Sequence, residues 1–180
     1  MTARFLMLVV VVLIAFASNS ILNRMAVGPG HIDAITFAVI RAIAGAVMLG
    51  ALVLIRRRPV VWMSLGRAMG VLSLTLYLIG FSIAYVSIDA GLGALLLFGA
   101  VQVTMFAGSV IGGERPPTQR WIGAGLAFAG LAWLSWPTGA SAVSILHAAA
   151  MLVAGIGWGI YSLAGRSATD PLAETAGNFI

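Results

Sequence analysis

The 180-residue sequence contains neither cysteine nor lysine. Without thiols it forms no disulfide, offers no thiolate nucleophile and builds no cysteine-ligated metal site. Acidic residues number five, and charged residues of both signs make up 8% of the chain. A water-soluble domain is about one quarter charged, so this composition excludes that class. The two histidines, His31 and His147, stand alone and give no metal-ligand spacing. Intramembrane enzyme chemistry would require a His-Glu-x-x-His pair, paired aspartates inside a span, or a serine with a base. The sequence has none of these, so neither an enzyme nor a metal or cofactor is expected.

What is present is apolar: 61% of residues are hydrophobic and the mean hydropathy is +1.08. A window of about 19 residues finds apolar runs at Phe5–Leu22, Ala34–Ile55, Ala68–Val86, Ala90–Ile111, Trp121–Trp136 and Val143–Ala164. Six spans are predicted. Continuous runs of this length specify helices, because a membrane barrel would show short segments of alternating polarity. Every proline falls in a connection, as helix punctuation requires. Small residues recur four apart at Ala42/Ala46/Gly50, Gly108/Gly112, Gly125/Ala129 and Gly155/Gly159, a spacing that lets helix backbones approach. The Gly155-Ile156-Gly157-Trp158-Gly159 run lies within a span, so it reads as a packing face and not a phosphate loop. The expected fold is an all-α integral membrane protein, a polytopic helical bundle.

The ten arginines orient it. With the amino terminus cytoplasmic, the inner side carries Arg4, Arg56, Arg57, Arg58, Arg67, Arg115, Arg120 and Arg166, and the outer side carries Arg24 alone. Cytoplasmic loops collect basic residues, so an N-in topology is expected. The positive charge lies on one membrane face and suits anionic lipid headgroups, with no nucleic-acid partner expected. The Ala/Gly-rich, arginine-only composition suits a bacterial inner membrane. Ala15-Phe16-Ala17 before Ser18 mimics a signal cleavage site, but the apolar run continues to Leu22, which favours a retained span.

The chain also resembles itself. A shift of 142 residues superposes Ser20 on Ser162, Arg24 on Arg166, Ala26 on Ala168, Pro29 on Pro171, Ala34 on Ala176 and Phe37 on Phe179. The repeat unit holds five spans, an odd number, so its second copy enters the membrane from the opposite side. Such inverted repeats are common in secondary transporters, which hold substrate near the midplane between the copies. The expected organisation is a first repeat over residues 1–136, with spans at 5–22, 34–55, 68–86, 90–111 and 121–136. A connection at 137–142 leads to the start of a second repeat over 143–180, with a span at 143–164 and the opening of a seventh helix. The second copy is unfinished at Ile180, which points to a fragment of a longer protein.

Several local patterns converge on one family. Asn19 and Arg24 end the first span, Arg41-Ala42 lies in the second, and Ala84-Tyr85 precedes Ala90. Gly113-Glu114-Arg115-Pro116 closes the fourth span, and Trp121-Ile122-Gly123 opens the fifth, which contains Gly130. In order and spacing these resemble the EamA-type domain of the drug/metabolite transporter superfamily over about Phe5–Trp136, and the likeness resumes at Val143–Arg166. The resemblance implies ten helices in two inverted five-helix repeats, cytoplasmic termini, and export or exchange of small metabolites. The family usually carries a proline midway along the fourth span, where this sequence has Val101 followed by Gln102.

Four residues are candidates for substrate binding. Arg41 is about 11 Å below the predicted outer boundary, where an arginine costs about 2.5–3.5 kcal/mol on insertion scales and marks a functional position by default. Snorkelling is its ordinary alternative. Asn19, one turn below the outer end of the first span, would serve equally in a helix–helix hydrogen bond. Gln102, near the middle of its span, needs a partner for its amide. Tyr77 shares a helix face with Ser73, Gly80 and Ala84, which reads as a stripe toward the interior or as a bond to a neighbouring helix. Trp158 and Tyr161 lie deep enough to wall a cavity, with packing the plainer role, and Trp62, Trp121, Trp133 and Trp136 suit an aromatic belt. Asp33 and Asp89 sit at helix amino termini, where the dipole favours them. The expected function is a secondary carrier of small metabolites, an exporter or exchanger. A homodimer or a missing second half would complete it, and the rival is a non-transporting membrane scaffold.

Overall fold

A computed structural model describes residues 2–59, 65–135, 144–166 and 168–180. Seven helices follow one another: α1 (Ala3–Val27), α2 (Ala34–Ile55), α3 (Leu65–Ala84), α4 (Ala90–Ile111), α5 (Thr118–Ser135), α6 (Ile145–Gly165) and α7 (Pro171–Phe179). No strand occurs among the described residues. Helices α1, α2, α3, α4 and α6 are each long and apolar enough to cross a membrane, so this is a polytopic helical membrane protein. The α5 helix opens on Thr118-Gln119-Arg120, and this polar first turn lowers its hydropathy below that of the other five. The 137–142 connection, Trp62 and Trp136 lie outside the described residues.

Helix ends follow local chemistry. The Asp33 carboxylate caps α2 by accepting from the Ile35 and Thr36 amides at 3.1 and 2.9 Å, which satisfies donors that an α-helix leaves orphaned. Asp89 also sits at an N-cap but makes no such bond, and its carboxylate turns instead toward Arg24 at 3.8 Å. Pro171 occupies the first turn of α7, where its missing amide proton costs nothing, and Asp170 accepts from the Ala173 amide. The α1 helix continues past Leu22 to Val27. Hydropathy ends at the polar pair Asn23-Arg24, but the backbone ladder does not.

Packing is uneven. Inside the protein 56% of the α3 span is buried, against 6% of the α1 span. The α6 helix lies along both α3 and α4, α7 rests on α2 and α3, and α5 packs on α4. Lipid tails are as apolar as leucine, so helices associate in a bilayer by close contact more than by hydrophobic transfer. Glycine supplies that contact around α6. Cβ atoms built on Gly155 and Gly157 would lie 2.5 Å from the Ala100 Cβ on α4 and 2.6 Å from the Ser73 carbonyl oxygen on α3, respectively. On the facing helix, a Cβ at Gly80 would lie 2.6 Å from the Ala150 carbonyl oxygen. Gly159, four after Gly155, is also close to α4, since its Cβ would lie 2.7 Å from the Thr104 Cβ, so the four-apart reading describes α6 well, but it fails for Gly125 on α5, which faces open space. Phe81, Tyr85, Leu96 and Met151 fill the centre of the resulting core.

Candidate functional site

Helices α1, α2 and α3 bring three of the four candidate residues together. The Asn19 Nδ2 donates to the Tyr77 hydroxyl at 3.1 Å. The Arg41 guanidinium reaches Asn19 Oδ1 at 3.3 Å, Ser82 Oγ at 3.4 Å and Tyr77 Oη at 3.5 Å. All three acceptors are neutral, and all three bonds are long for a charged donor. Below the guanidinium lie the rings of Phe81 and Tyr77, at 5.1 and 5.7 Å, a cation–π arrangement worth about 0.5–2 kcal/mol. The Arg41 guanidinium thus lies among α1, α2 and α3. Among the described residues no carboxylate lies within ion-pairing distance of it.

A cavity of about 450 Å³ opens beside this cluster. Asn19, Arg41 and Tyr77 form its polar side, and Phe16, Trp158 and Tyr161 its aromatic side. The rings make a continuous series: Phe16 meets Trp158 edge-on at 6.3 Å, Trp158 packs on Tyr77 at 4.7 Å, and Trp158 stacks on Tyr161 at 5.5 Å. One fixed cation and several apolar ring faces suit a ligand with an anionic head and an apolar body. A neutral or purely cationic ligand would leave the guanidinium unanswered.

Gln102 is elsewhere. It is exposed on the face of α4 that turns toward α5, where it lines a separate cleft of about 350 Å³ with Met105, Phe106 and Arg120. Its mid-span position is as read from the sequence, but a helix has many faces and hydropathy does not choose among them. Ser73 bonds back to the Met69 and Gly70 carbonyls of its own helix, at 2.7 and 3.1 Å, and so takes no part in the site. Residues that sequence reasoning passed over are Phe16 and Phe81. Phe81 follows Tyr77 by four residues, a spacing that puts both rings on one helix face and could have drawn attention to it.

Two arginines secure the ends of helices. At the C-terminal end of α1, Arg24 donates to the carbonyls of Tyr85 and Val86 at 2.9 and 2.8 Å, and its other nitrogen faces Asp89. At the end of α6, Arg166 pairs with Glu114 at 3.4 Å. In the first turn of α3, Arg67, buried to 7% exposure, holds α7. Arg67 donates to the Glu174 carbonyl at 2.6 Å and to Asn178 Oδ1 at 2.9 Å, and it pairs with the Glu174 carboxylate at 3.3 Å.

Comparison with known proteins gives a family and one relative without an assigned activity. A Pseudomonas aeruginosa protein described as "Uncharacterized protein PA1977" is 47% identical over 177 residues, which cover 98% of this chain and 61% of that protein. The chain thus spans less than two thirds of the relative's length. No solved structure matches it. Residues 3–136 match the EamA-like transporter family, a span that takes in all of α1 to α5 with Asn19, Arg41 and Tyr77. The chain therefore belongs to the EamA-like transporter family.

Proposed function

We propose that this protein is part of a secondary carrier, an exporter or exchanger in a bacterial inner membrane, for small metabolites that join a carboxylate to an apolar body. Asn19, Arg41 and Tyr77 are its substrate-binding residues. The observation that carries this reading is the Arg41 guanidinium, held against neutral oxygens and ring faces beside a cavity of about 450 Å³, with no acid in range among the described residues. An arginine in such a place is costly unless something answers its charge, and a substrate carboxylate does so. Membership of a transporter family supports the same assignment.

The amino terminus is cytoplasmic in this reading, on the eight-to-one division of loop and terminal arginines. Residues 1–136 form the first repeat, and 143–180 open an inverted second one after the 137–142 connection. The cavity wall supports the repeat: the 142-residue shift relates Phe16 to Trp158 and Asn19 to Tyr161, and all four line the same space from α1 and α6. The shift also relates Arg24 to Arg166, each at the end of its helix and each facing an acid in a neighbouring connection. Either a second copy in inverted orientation or a separate second half would supply the inverted helices that a parallel homodimer does not.

The test is ligand binding and uptake by the purified protein and by its longer relative. 3-Phenylpropionate should bind, and phenethylamine, which exchanges the carboxylate for an ammonium, should not. Arg41→Gln should weaken binding of the acid by tenfold or more, with Gln102→Ala unchanged. Equal binding of acid and amine, or indifference to Arg41→Gln, refutes the assignment.

A further inference from the structure

The central cavity has a neighbour. Between the first turns of α3, the last turns of α6 and the start of α7 lies a second cavity of about 400 Å³, at the arginine-rich end of the bundle. Its wall is about half polar, with Ser162, Thr169, Glu174 and Asn178 among the lining residues. Two residues, Tyr161 on α6 and Thr175 on α7, line both cavities. They are bonded to each other: the Tyr161 hydroxyl and the Thr175 hydroxyl oxygen are 3.2 Å apart.

We infer that the Tyr161–Thr175 pair is a gate between the substrate cavity and a polar vestibule on the arginine-rich side. The inference rests on the carrier reading above, since a gate matters only where something passes. Three observations carry it beyond a chance contact between neighbours. The pair lines both cavities, so the direct path between them runs past the phenol ring and the threonine hydroxyl, separate from a smaller cavity that touches both at Leu78 and Asn178. It joins two helices that are secured by other means, α6 through its glycine contacts with α3 and α4, and α7 through the bonds of Arg67. Breaking one hydroxyl bond therefore opens the partition without unfolding either helix.

The third observation links the gate to the site. Tyr161 stacks on Trp158 at 5.5 Å, and Trp158 packs at 4.7 Å on Tyr77, which in turn bonds to Asn19 beside Arg41. A ligand body lying against Trp158 shifts the ring on which Tyr161 rests. A neutral hydrogen bond is weak enough to yield to such a push, since its loss moves an open-to-closed ratio by only about two- to tenfold. A buried ion pair at the same point would hold far more firmly. Arg67 pairs with Glu174, the half-exposed neighbour of Thr175 on α7, and so marks where that helix is anchored to α3.

The absence of native cysteine makes the test direct. Ala15→Cys places a thiol on the wall of the central cavity, and Ala168→Cys places one in the vestibule. A membrane-impermeant methanethiosulfonate is applied to sealed vesicles from the side on which Ala168→Cys reacts. The Ala15→Cys thiol should react slowly, about two- to tenfold faster with Tyr161→Phe or Thr175→Val added, and at least tenfold faster with Tyr161→Ala. Ala168→Cys should react at one rate in every background, which reports that each variant is folded. Thr175→Val, nearly equal in volume, carries the test if Tyr161→Ala does not fold. An Ala15→Cys rate indifferent to all three changes overturns the gate, whether or not the protein transports. Gated labelling without uptake, even by the longer relative, upholds the partition and refutes the carrier reading instead.

Discussion

A single methyl group at Gly157 should destabilise this bundle measurably. It would sit 2.6 Å from the Ser73 carbonyl oxygen, 3.1 Å from the Tyr77 nitrogen and 3.2 Å from the Leu76 Cβ. The nearest two atoms are backbone and cannot rotate away. Relief requires α6 to retreat from α3 by roughly 0.8 Å, to reach ordinary van der Waals separation. Retreat is blocked, however. Residues two apart on a helix face nearly opposite directions, and Gly155, two before Gly157, already lies against Ala100 and the Leu97 carbonyl oxygen on α4. The overpacking cost is therefore at the upper part of the usual range of about 1–3 kcal/mol, offset in part by the helix preference of Ala over Gly, about 0.8–1 kcal/mol. A net loss of about 1–2 kcal/mol remains, close to a tenfold rise in the unfolded fraction. Gly125→Ala is the control, because its new methyl meets nothing within 4 Å and gains only the propensity term. In mild detergent, unfolding by added dodecyl sulfate can be followed by tryptophan fluorescence. If Gly157→Ala and Gly125→Ala unfold at the same mole fraction of dodecyl sulfate, the wedged position of α6 is wrong.

Two further outcomes are expected. Arg67→Ala removes charge-assisted bonds to Glu174 and Asn178, each worth about 1.5–3 kcal/mol, so amide exchange across α7 should quicken while that of α4 does not; unchanged exchange in α7 would show that its apolar contacts suffice. The Asp33 carboxyl is held below its ordinary value of 3.8 by hydrogen bonds from Thr36 and then Ile35, so its capping contribution is complete above pH 3.8 and is lost as pH falls through the lower folded value. Asp33→Ala at neutral pH should therefore accelerate exchange of the Ile35 and Thr36 amides, whereas acidification of the parent to pH 5 should not.

Much of the fold was legible because lipid imposes simple rules. The bounds of α2 and α4 match their apolar runs, since Asp33 and Arg56 bracket one and Asp89 and Gly112 the other. The errors fell where helix and hydropathy part company, at Asn23-Arg24 in α1 and at the polar first turn of α5. Within the site, Arg41, Asn19 and Tyr77 stood out as polar groups in apolar runs, and the structure sets them within hydrogen-bonding reach of one another. Gln102 stood out equally and faces another way. Position along a span is written in the sequence, but the direction of a face depends on which helices come to lie beside it. Trp158 and Tyr161 illustrate the converse. Packing was their plainer reading, and only the arrival of α6 between α3 and α4 turned their rings into a cavity wall.

The glycines of α6 also restrict how the protein can move. Where side chains separate two helices, one can slide past the other by changing rotamers. Here the contacts at Gly155 and Gly157 include backbone atoms of the partner helices. A slip of one turn along α3 would bring Val153 or Tyr161 toward the place of Gly157, against the Ser73 carbonyl. Helices α3, α4 and α6 are accordingly locked in register and behave as one body. The α1 and α2 helices touch that body partly through apolar residues, Phe16, Val27 and Ala38, and partly through the polar side chains of Arg24, Asn19 and Arg41. Bonds of that kind can break and re-form in a new place, so rearrangement around the cavity falls to α1 and α2, with the glycine-fastened trio as the frame.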